Sequence, residues 1–159
     1  MKITIIAVGK IKEKYFTMAI EEYTKRLKPY CKLEMIEVSD EKTPDKSSDR
    51  ENQLIKEKEA ERILRYIKED AYVVTLEIQG KQLSSEELAE QIQTLGVQGK
   101  SHICFIIGGS LGLHSLVCQK ADFALSFSKM TFPHPLMRVV LLEQIYRSYR
   151  IANHQPYHK

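Results

Sequence analysis

The stretch His102–Gly112, HICFIIGGSLG, indicates the fold class more directly than any other part of the chain. The run HICFII is typical of a strand that is buried in a parallel sheet. It leads directly into the glycine-rich turn GGSLG, and α/β proteins place their ligands beyond the carboxyl end of such a strand. The turn has neither the G-x-G-x-x-G spacing nor a P-loop pattern, so two interpretations stay open: a ligand-binding loop or a tight turn alone.

Strand-like and helix-like segments alternate on both sides of this stretch. Short apolar or alternating runs predict strands, and apolar residues three and four apart predict helices. This alternation favours an α/β fold in which helices flank a parallel sheet, as one domain over residues 1–159. The predicted strands are 2–8, 31–38, 72–78, 102–107 and 122–127. The predicted helices are 13–27, 53–68, 84–95, a short one after 112, and 135–151, with QGK at 79–81 as a turn. The run SSEE at 84–87 predicts a capping box at the start of the third helix.

Composition excludes several classes of protein. The chain has 159 residues, of which 43% are hydrophobic and 28% charged, so it is too apolar for a disordered chain. It lacks the run of about 18 apolar residues that a membrane-spanning helix needs. Its three cysteines, Cys31, Cys104 and Cys118, are far apart in sequence. They are expected to be reduced packing residues of a cytoplasmic protein, and no metal-binding motif is predicted.

Positive charge is concentrated at the carboxyl end. Residues 129–159 contain five basic side chains and one acidic side chain, whereas the rest of the chain has a net charge of −1. A local basic patch is what a phosphate-rich partner such as RNA requires. The alternative is that basic residues only complement the negative end of a helix dipole.

The segment 125–138, LSFSKMTFPHPLMR, is the least ordinary part of the sequence. Two prolines flank His134 and restrict the backbone on both sides of it. Arg138 shares a helix face with the apolar residues that follow it, so its charge needs an anion. A carboxylate of the protein would be structural, whereas a phosphate or another ligand would be functional. We expect the anion to come from substrate or from a neighbouring subunit.

The tail 153–159, NHQPYHK, combines histidine, tyrosine and lysine, which suit contact with RNA. Its two histidines are four residues apart, but Pro156 between them interrupts the helix that would place both on one face. A metal-binding pair is therefore not favoured. A frayed, inert terminus is the alternative.

Five blocks of sequence resemble SPOUT-class (trefoil-knot) RNA methyltransferases over the whole chain. In order, they are MKITIIAVGK, VVTLEIQGK, FIIGGSLGLH, LSFSKMTFPHPLMRVVLLEQIYR and HQPYHK. They are most similar to the small bacterial members that methylate N3 of a pseudouridine in large-subunit ribosomal RNA. The resemblance implies a deep trefoil knot in roughly residues 72–159. It also implies S-adenosylmethionine as methyl donor, no metal, a homodimer, and the ribosome as substrate, with neither DNA nor membrane as a partner.

The resemblance also implies the site residues. The donor pocket would contain Leu76, Gly108, Phe127, Ser128, Lys129, Met130, Thr131 and Phe132. Gly108 is expected to lack a side chain because a Cβ would occupy the space of the donor. The candidates that assist loss of the N3 proton are His134, Arg138, Tyr157 and His158, and the tail is expected to complete the partner subunit's site. Two alternatives remain: a non-catalytic ribosome- or RNA-binding module, and a nucleotide-dependent enzyme that binds phosphate at the glycine turn.

Overall fold

The computed structural model describes all residues, Met1–Lys159, and strands alternate with helices throughout. The strands are β1 (Lys2–Val8), β2 (Lys32–Val38), β3 (Tyr72–Gln82), β4 (His102–Ile107) and β5 (Phe123–Ser126). The helices are α1 (Lys14–Leu27), α2 (Asp49–Leu64), α3 (Ser85–Val97), α4 (Ser115–Cys118) and α5 (His134–Ala152).

The five strands form one sheet in the order β2-β1-β4-β3-β5, and every neighbouring pair is parallel. The predicted parallel sheet is therefore confirmed. Every residue of β4 is buried, as the uncharged run HICFII predicts. Because all strands run the same way, their carboxyl ends meet at one edge of the sheet, where the glycine turn lies.

The hydrophobic core has two parts, one on each face of the sheet. Leu27 of α1, Ile92 of α3 and Leu142 of α5 belong to the first cluster. Ile63 of α2 and Val117 of α4 belong to the second. Helices on both faces were predicted from the alternation of elements, and this is confirmed. None of the helices is long and apolar enough to cross a membrane.

The predicted turn at 79–81 is wrong, because β3 continues through these residues. A bulge between Leu76 and Lys81 takes up the extra length and lets the strand resume its pairing with β5. Gly80 allows this close approach: a Cβ at this position would lie 2.6 Å from the carbonyl oxygen of Ala124. The bulge directs its residues towards the carboxyl edge of the sheet.

Local capping decides where two of the helices begin. The hydroxyl of Ser84 accepts from the backbone N–H of Glu87, whose carboxylate accepts from the backbone N–H of Ser84, as the predicted capping box requires. Helix α2 begins at Asp49, four residues before the predicted start at 53, because Ser48 caps it through the backbone N–H of Glu51.

Candidate functional site

A cavity with a volume of about 760 Å³ opens at the carboxyl edge of β3, β4 and β5. Its walls are the β3 bulge at 76–79, the glycine turn at 107–113, the segment 125–134 and the first turns of α5. A crevice beyond the carboxyl ends of parallel strands is the usual ligand site of this fold class. The volume lies within the range of small-molecule and cofactor pockets.

Seven of the eight predicted donor-binding residues line this one cavity. They are Leu76, Gly108, Phe127, Ser128, Met130, Thr131 and Phe132. Lys129 is exposed and is not among the lining residues. Three separate parts of the chain thus meet where the sequence predicts a pocket, and the donor-binding role of each residue stays a prediction.

Gly108 lacks a side chain for a different reason from the one expected. A Cβ at this position would lie 2.9 Å from the carbonyl carbon of Gly112 and 3.0 Å from Cδ2 of Leu113. The backbone N–H of Gly112 donates to the carbonyl of Gly109 and closes the turn. A side chain at Gly108 therefore obstructs the turn itself, and its effect on a ligand would be indirect.

The carboxylate of Glu59 in α2 lies against this turn, close to Gly109. The sequence does not distinguish Glu59 from the many other charged residues of its helix. Only 5% of Glu59 is exposed, and its carboxylate accepts from the backbone N–H of Glu41 at 2.9 Å. A Cβ on Gly109 would lie 3.2 Å from Oε1 of Glu59. Burial raises the pKa of Glu59, and the nearby charge of Asp40 acts in the same direction.

His134 begins α5 and lines the cavity. Its ring packs against Gly9, where a Cβ would lie 3.0 Å from Cε1 of the imidazole. The Nδ1 atom is buried and has no hydrogen-bond partner. Burial lowers the pKa of His134, and the positive charge of Arg138 lowers it further. The imidazole is therefore neutral at neutral pH and can accept a proton.

Arg138 lies one turn further along α5 and is only 1% exposed. It donates to Oε2 of Glu37 at 2.6 Å, and to the backbone carbonyls of Gly9 at 2.5 Å and Val8 at 3.3 Å. Its predicted place on the apolar helix face is confirmed. The expectation that its anion comes from substrate or a neighbouring subunit is wrong, because a carboxylate of the same chain supplies it. Arg138 fastens the end of β1 beside His134.

The tail docks on its own chain, away from the cavity. The hydroxyl of Tyr157 donates to Oε1 of Glu143 at 3.0 Å, and His158 pairs with Glu86 at 2.6 Å. Burial raises the pKa of Tyr157 to about 12, so its hydroxyl stays protonated. Glu143 is about 13 Å along the helix axis from His134, at 1.5 Å per residue. The structure therefore does not bring Tyr157 and His158 together with His134 in one chain.

A carboxylate that the sequence did not single out also lines the cavity. Glu77 lies in the β3 bulge, and its Oε2 accepts from the hydroxyl of Thr75 at 2.5 Å. The sequence predicts a regular strand over 72–78, and nothing in that pattern distinguishes Glu77 from its neighbours. No three His, Cys, Asp or Glu side chains lie close enough together to hold a metal ion.

The family model described as "Predicted SPOUT methyltransferase" matches residues 1–158. The chain is 61% identical to the ribosomal RNA large subunit methyltransferase H of Bifidobacterium adolescentis and 59% identical to that of Clostridium novyi, over the full length of each chain.

A solved structure from Haemophilus influenzae, titled as a probable methylase family protein, has a TM-score of 0.56 at 14% identity. It matches 99% of this chain and 70% of its own, and it supports the fold alone. The family match covers nearly the whole chain. The chain therefore belongs to the SPOUT methyltransferase family, whose enzymes take the methyl group from S-adenosylmethionine and whose fold contains a trefoil knot.

Proposed function

We propose that this enzyme methylates N3 of a pseudouridine in large-subunit ribosomal RNA, within assembled ribosomes. One observation carries the proposal: segments at 76–79, 107–113 and 125–134 converge on one cavity that contains seven of the eight expected donor-binding residues. The full-length relatives at 61% and 59% identity are named for a large-subunit ribosomal RNA methyltransferase, which supports the same substrate.

The cavity suits S-adenosylmethionine in size and chemistry. Apolar side chains, among them Phe127 and Met137, contribute to its walls, and Glu77 adds a carboxylate that complements positive charge. The buried Nδ1 of His134 has no partner within the protein. When bound, the donor supplies a methyl group on a positively charged sulfur, which is activated for transfer to a nucleophile.

Within this proposal His134 accepts a proton. The N3–H of a uracil-type base is a weak acid, and its removal makes the nitrogen nucleophilic. A neutral imidazole beside the donor pocket is suited to this task, since a general base must be unprotonated before it acts. Arg138 is a positioning residue, because its guanidinium holds the backbone of Gly9 against the His134 ring and is itself buried.

The proposal includes a homodimer in which the tail 153–159 of one subunit completes the site of the other. Tyr157 of the tail contacts Glu143, which lies about 13 Å along α5 from His134 of the same chain, so in this arrangement the tail serves the pocket of a second chain. Tyr157 and His158 offer the stacking and hydrogen bonding that hold an unpaired RNA base. The knotted part would be residues 72–159, and the place of action would be the cytoplasm, where bacterial ribosomes are.

Transfer of labelled methyl groups to ribosomes tests the proposal. Ribosomes would be prepared from a bacterial strain that lacks its own enzyme, and incubated with the protein and S-adenosylmethionine labelled in the methyl group. We expect label in large-subunit RNA and none in small-subunit RNA. Ribosome binding without incorporation would favour the non-catalytic binding module instead.

A further inference from the structure

The segment that joins β1 to α1 carries an exposed basic run next to the cavity. Lys10, Lys12 and Lys14 are all exposed, and Glu13 is the only acidic residue among residues 10–14, which leaves a net charge of +2. None of the three lysines forms an ion pair. This run differs from residues 1–128 as a whole, where the net charge is −1.

Aromatic surface continues from these lysines onto α1. Tyr15 is 67% exposed, although a tyrosine ring is largely apolar. Its ring lies against that of Phe16, with 4.5 Å between the centroids. An aromatic face beside unpaired cations is the combination with which proteins bind single-stranded nucleic acid: the cations attract phosphates and the rings stack on bases.

The position of this segment links it to catalysis. It leaves β1 at Gly9, which packs directly against the His134 ring. Arg138 and Glu37 fasten it there, since Arg138 donates to the carbonyl of Gly9 and the backbone N–H of Ile11 donates to Glu37 at 3.4 Å. From Lys10 to Lys14 the chain spans at most about 14 Å. Because Lys10 directly follows Gly9, a nucleic-acid strand bound along these lysines would pass close to His134, which lines the cavity.

We infer that Lys10, Lys12, Lys14 and Tyr15, here called the β1–α1 basic surface, bind the ribosomal RNA strand next to the target nucleotide. The inference rests on the proposed function for its choice of RNA. The lysines contact phosphates and Tyr15 stacks on an unpaired base. A second copy of this chain is a less suitable occupant, because the cores of protein–protein interfaces are depleted in lysine and this surface has three lysines without carboxylate partners.

The first test compares two triple variants with the same change of charge. One replaces Lys10, Lys12 and Lys14 by alanine. The matched control replaces Lys32, Lys68 and Lys100, which are exposed residues at or just before the amino ends of β2, β3 and β4, opposite the cavity. Equilibrium affinity for unmethylated ribosomes is measured from 50 to 300 mM salt. Donor affinity and oligomeric state are measured by calorimetry and sedimentation.

The surface variant is expected to bind ribosomes more weakly and to reduce the slope of log affinity against log salt by about 2 to 3, since three phosphate contacts are lost. The control variant is expected to keep the wild-type slope. Equal slopes for both variants would overturn the inference. A second result would also overturn the inference: the surface variant dissociates into monomers, and each monomer binds ribosomes with the same affinity as a wild-type subunit. The surface would then be a subunit interface.

The second test concerns Tyr15. Tyr15→Ala is expected to weaken ribosome binding roughly 5- to 150-fold through loss of one stacked base, and Tyr15→Phe is expected to recover most of that loss. Met18→Ala is the control, because Met18 is on the same helix and equally exposed at 67%. Equal affinities for the Tyr15→Ala and Met18→Ala variants would exclude stacking. These experiments measure ribosome binding and not methyl transfer. A wild-type protein that binds ribosomes but does not methylate them would refute the proposed function alone. A wild-type protein that does not bind ribosomes would refute both the proposed function and this inference.

Discussion

Arg138 and Glu37 are 101 residues apart in the chain, yet they form an ion pair of 2.6 Å at the carboxyl edge of the sheet. The pair joins the first turns of α5 to the end of β2, and through the carbonyls of Val8 and Gly9 it also holds the end of β1. The same helix turn carries His134. Arg138 thus connects the sheet to the candidate proton acceptor.

The two partners of this pair are expected to differ in their effect on stability. Arg138 is 1% exposed, whereas 46% of the Glu37 side chain is exposed. Glu37→Met leaves a buried guanidinium without its carboxylate, which costs about 3–5 kcal/mol in a fully buried pair and less here because water screens the half-exposed Glu37. Arg138→Met removes the buried charge and leaves Glu37 in contact with water, so it is expected to cost less. Urea denaturation of both variants measures the difference. Equal decreases in the free energy of unfolding would show that Glu37 does not stabilise the buried charge of Arg138.

Gly108→Ala is expected to weaken donor binding at least tenfold while the protein stays folded. Its Cβ would press on the backbone of Gly112 and open the turn that lines the cavity. Gly96→Ala in α3 is the control, since its Cβ would meet only the flexible end of Met1 at 3.5 Å. Calorimetry with S-adenosylmethionine measures the affinities. If a folded Gly108→Ala protein kept the wild-type affinity, this turn would not contribute to binding of the donor.

The pH dependence of methyl transfer follows from His134. Its pKa in the folded protein lies below the ordinary value of 6.5, because burial and the charge of Arg138 disfavour the imidazolium. The neutral base is therefore present above pH 6.5 and is lost only below it. We expect kcat to fall on the acid side with a midpoint below 6.5. His134→Gln should lower kcat by about 100-fold or more and remove that acid limb. An acid limb that survives the substitution would belong to another group.

Glu59 is expected to make the folded protein less stable as the pH rises above about 4.5. Its folded pKa is raised above the ordinary 4.5, so the folded state binds more protons than the unfolded state as pH rises from about 4.5 to the folded value. The wild-type protein then loses stability across this interval, whereas Glu59→Gln has no proton to lose. In thermal melts, the melting temperature of the glutamine variant is expected to rise relative to that of the wild type as the pH increases from 4.5 to 7.5. A constant difference across this range would mean that the Glu59 pKa is not raised.

Deleting residues 153–159 is expected to leave donor binding and dimerisation intact and to abolish methyl transfer. A mixed dimer decides which subunit the tail serves. It joins one tail-deleted subunit to one Gly108→Val subunit, so the only intact pocket belongs to the subunit without a tail. Activity survives if the tail works across the dimer. An inactive mixed dimer of confirmed fold would show that each tail serves its own subunit.

The sequence predicted those features that depend on local pattern. The alternation of elements, the buried strand HICFII, the capping box at Ser84 and the apolar helix face shared by Arg138 all depend on residues close together in the chain. The placing of Leu76, Gly108 and residues 127–132 in one pocket is implied by the family resemblance alone. Periodicity carries no information about which strands become neighbours.

The features that were missed depend on contacts across the fold. Arg138 visibly needed an anion, but Glu37 became its partner only through the pairing of β1 with β2. Glu59 is one acid among many in α2, and only the packing of the glycine turn against it makes it different. The continuation of β3 past Gly80 likewise depends on the close approach of β5, which the dipeptide QG cannot reveal.

Identification of the methylated nucleotide is the most direct test of the central claim. Unmethylated ribosomes are incubated with the enzyme and S-adenosylmethionine, and nuclease fragments of the large-subunit RNA are analysed by mass spectrometry. Chain-terminating reverse transcription of the same RNA locates the modification, because a methyl group on N3 blocks base pairing. We predict one new methyl group, on N3 of a pseudouridine, which is absent when S-adenosylmethionine is omitted. A methyl group on a ribose, on another base or on small-subunit RNA would contradict the account.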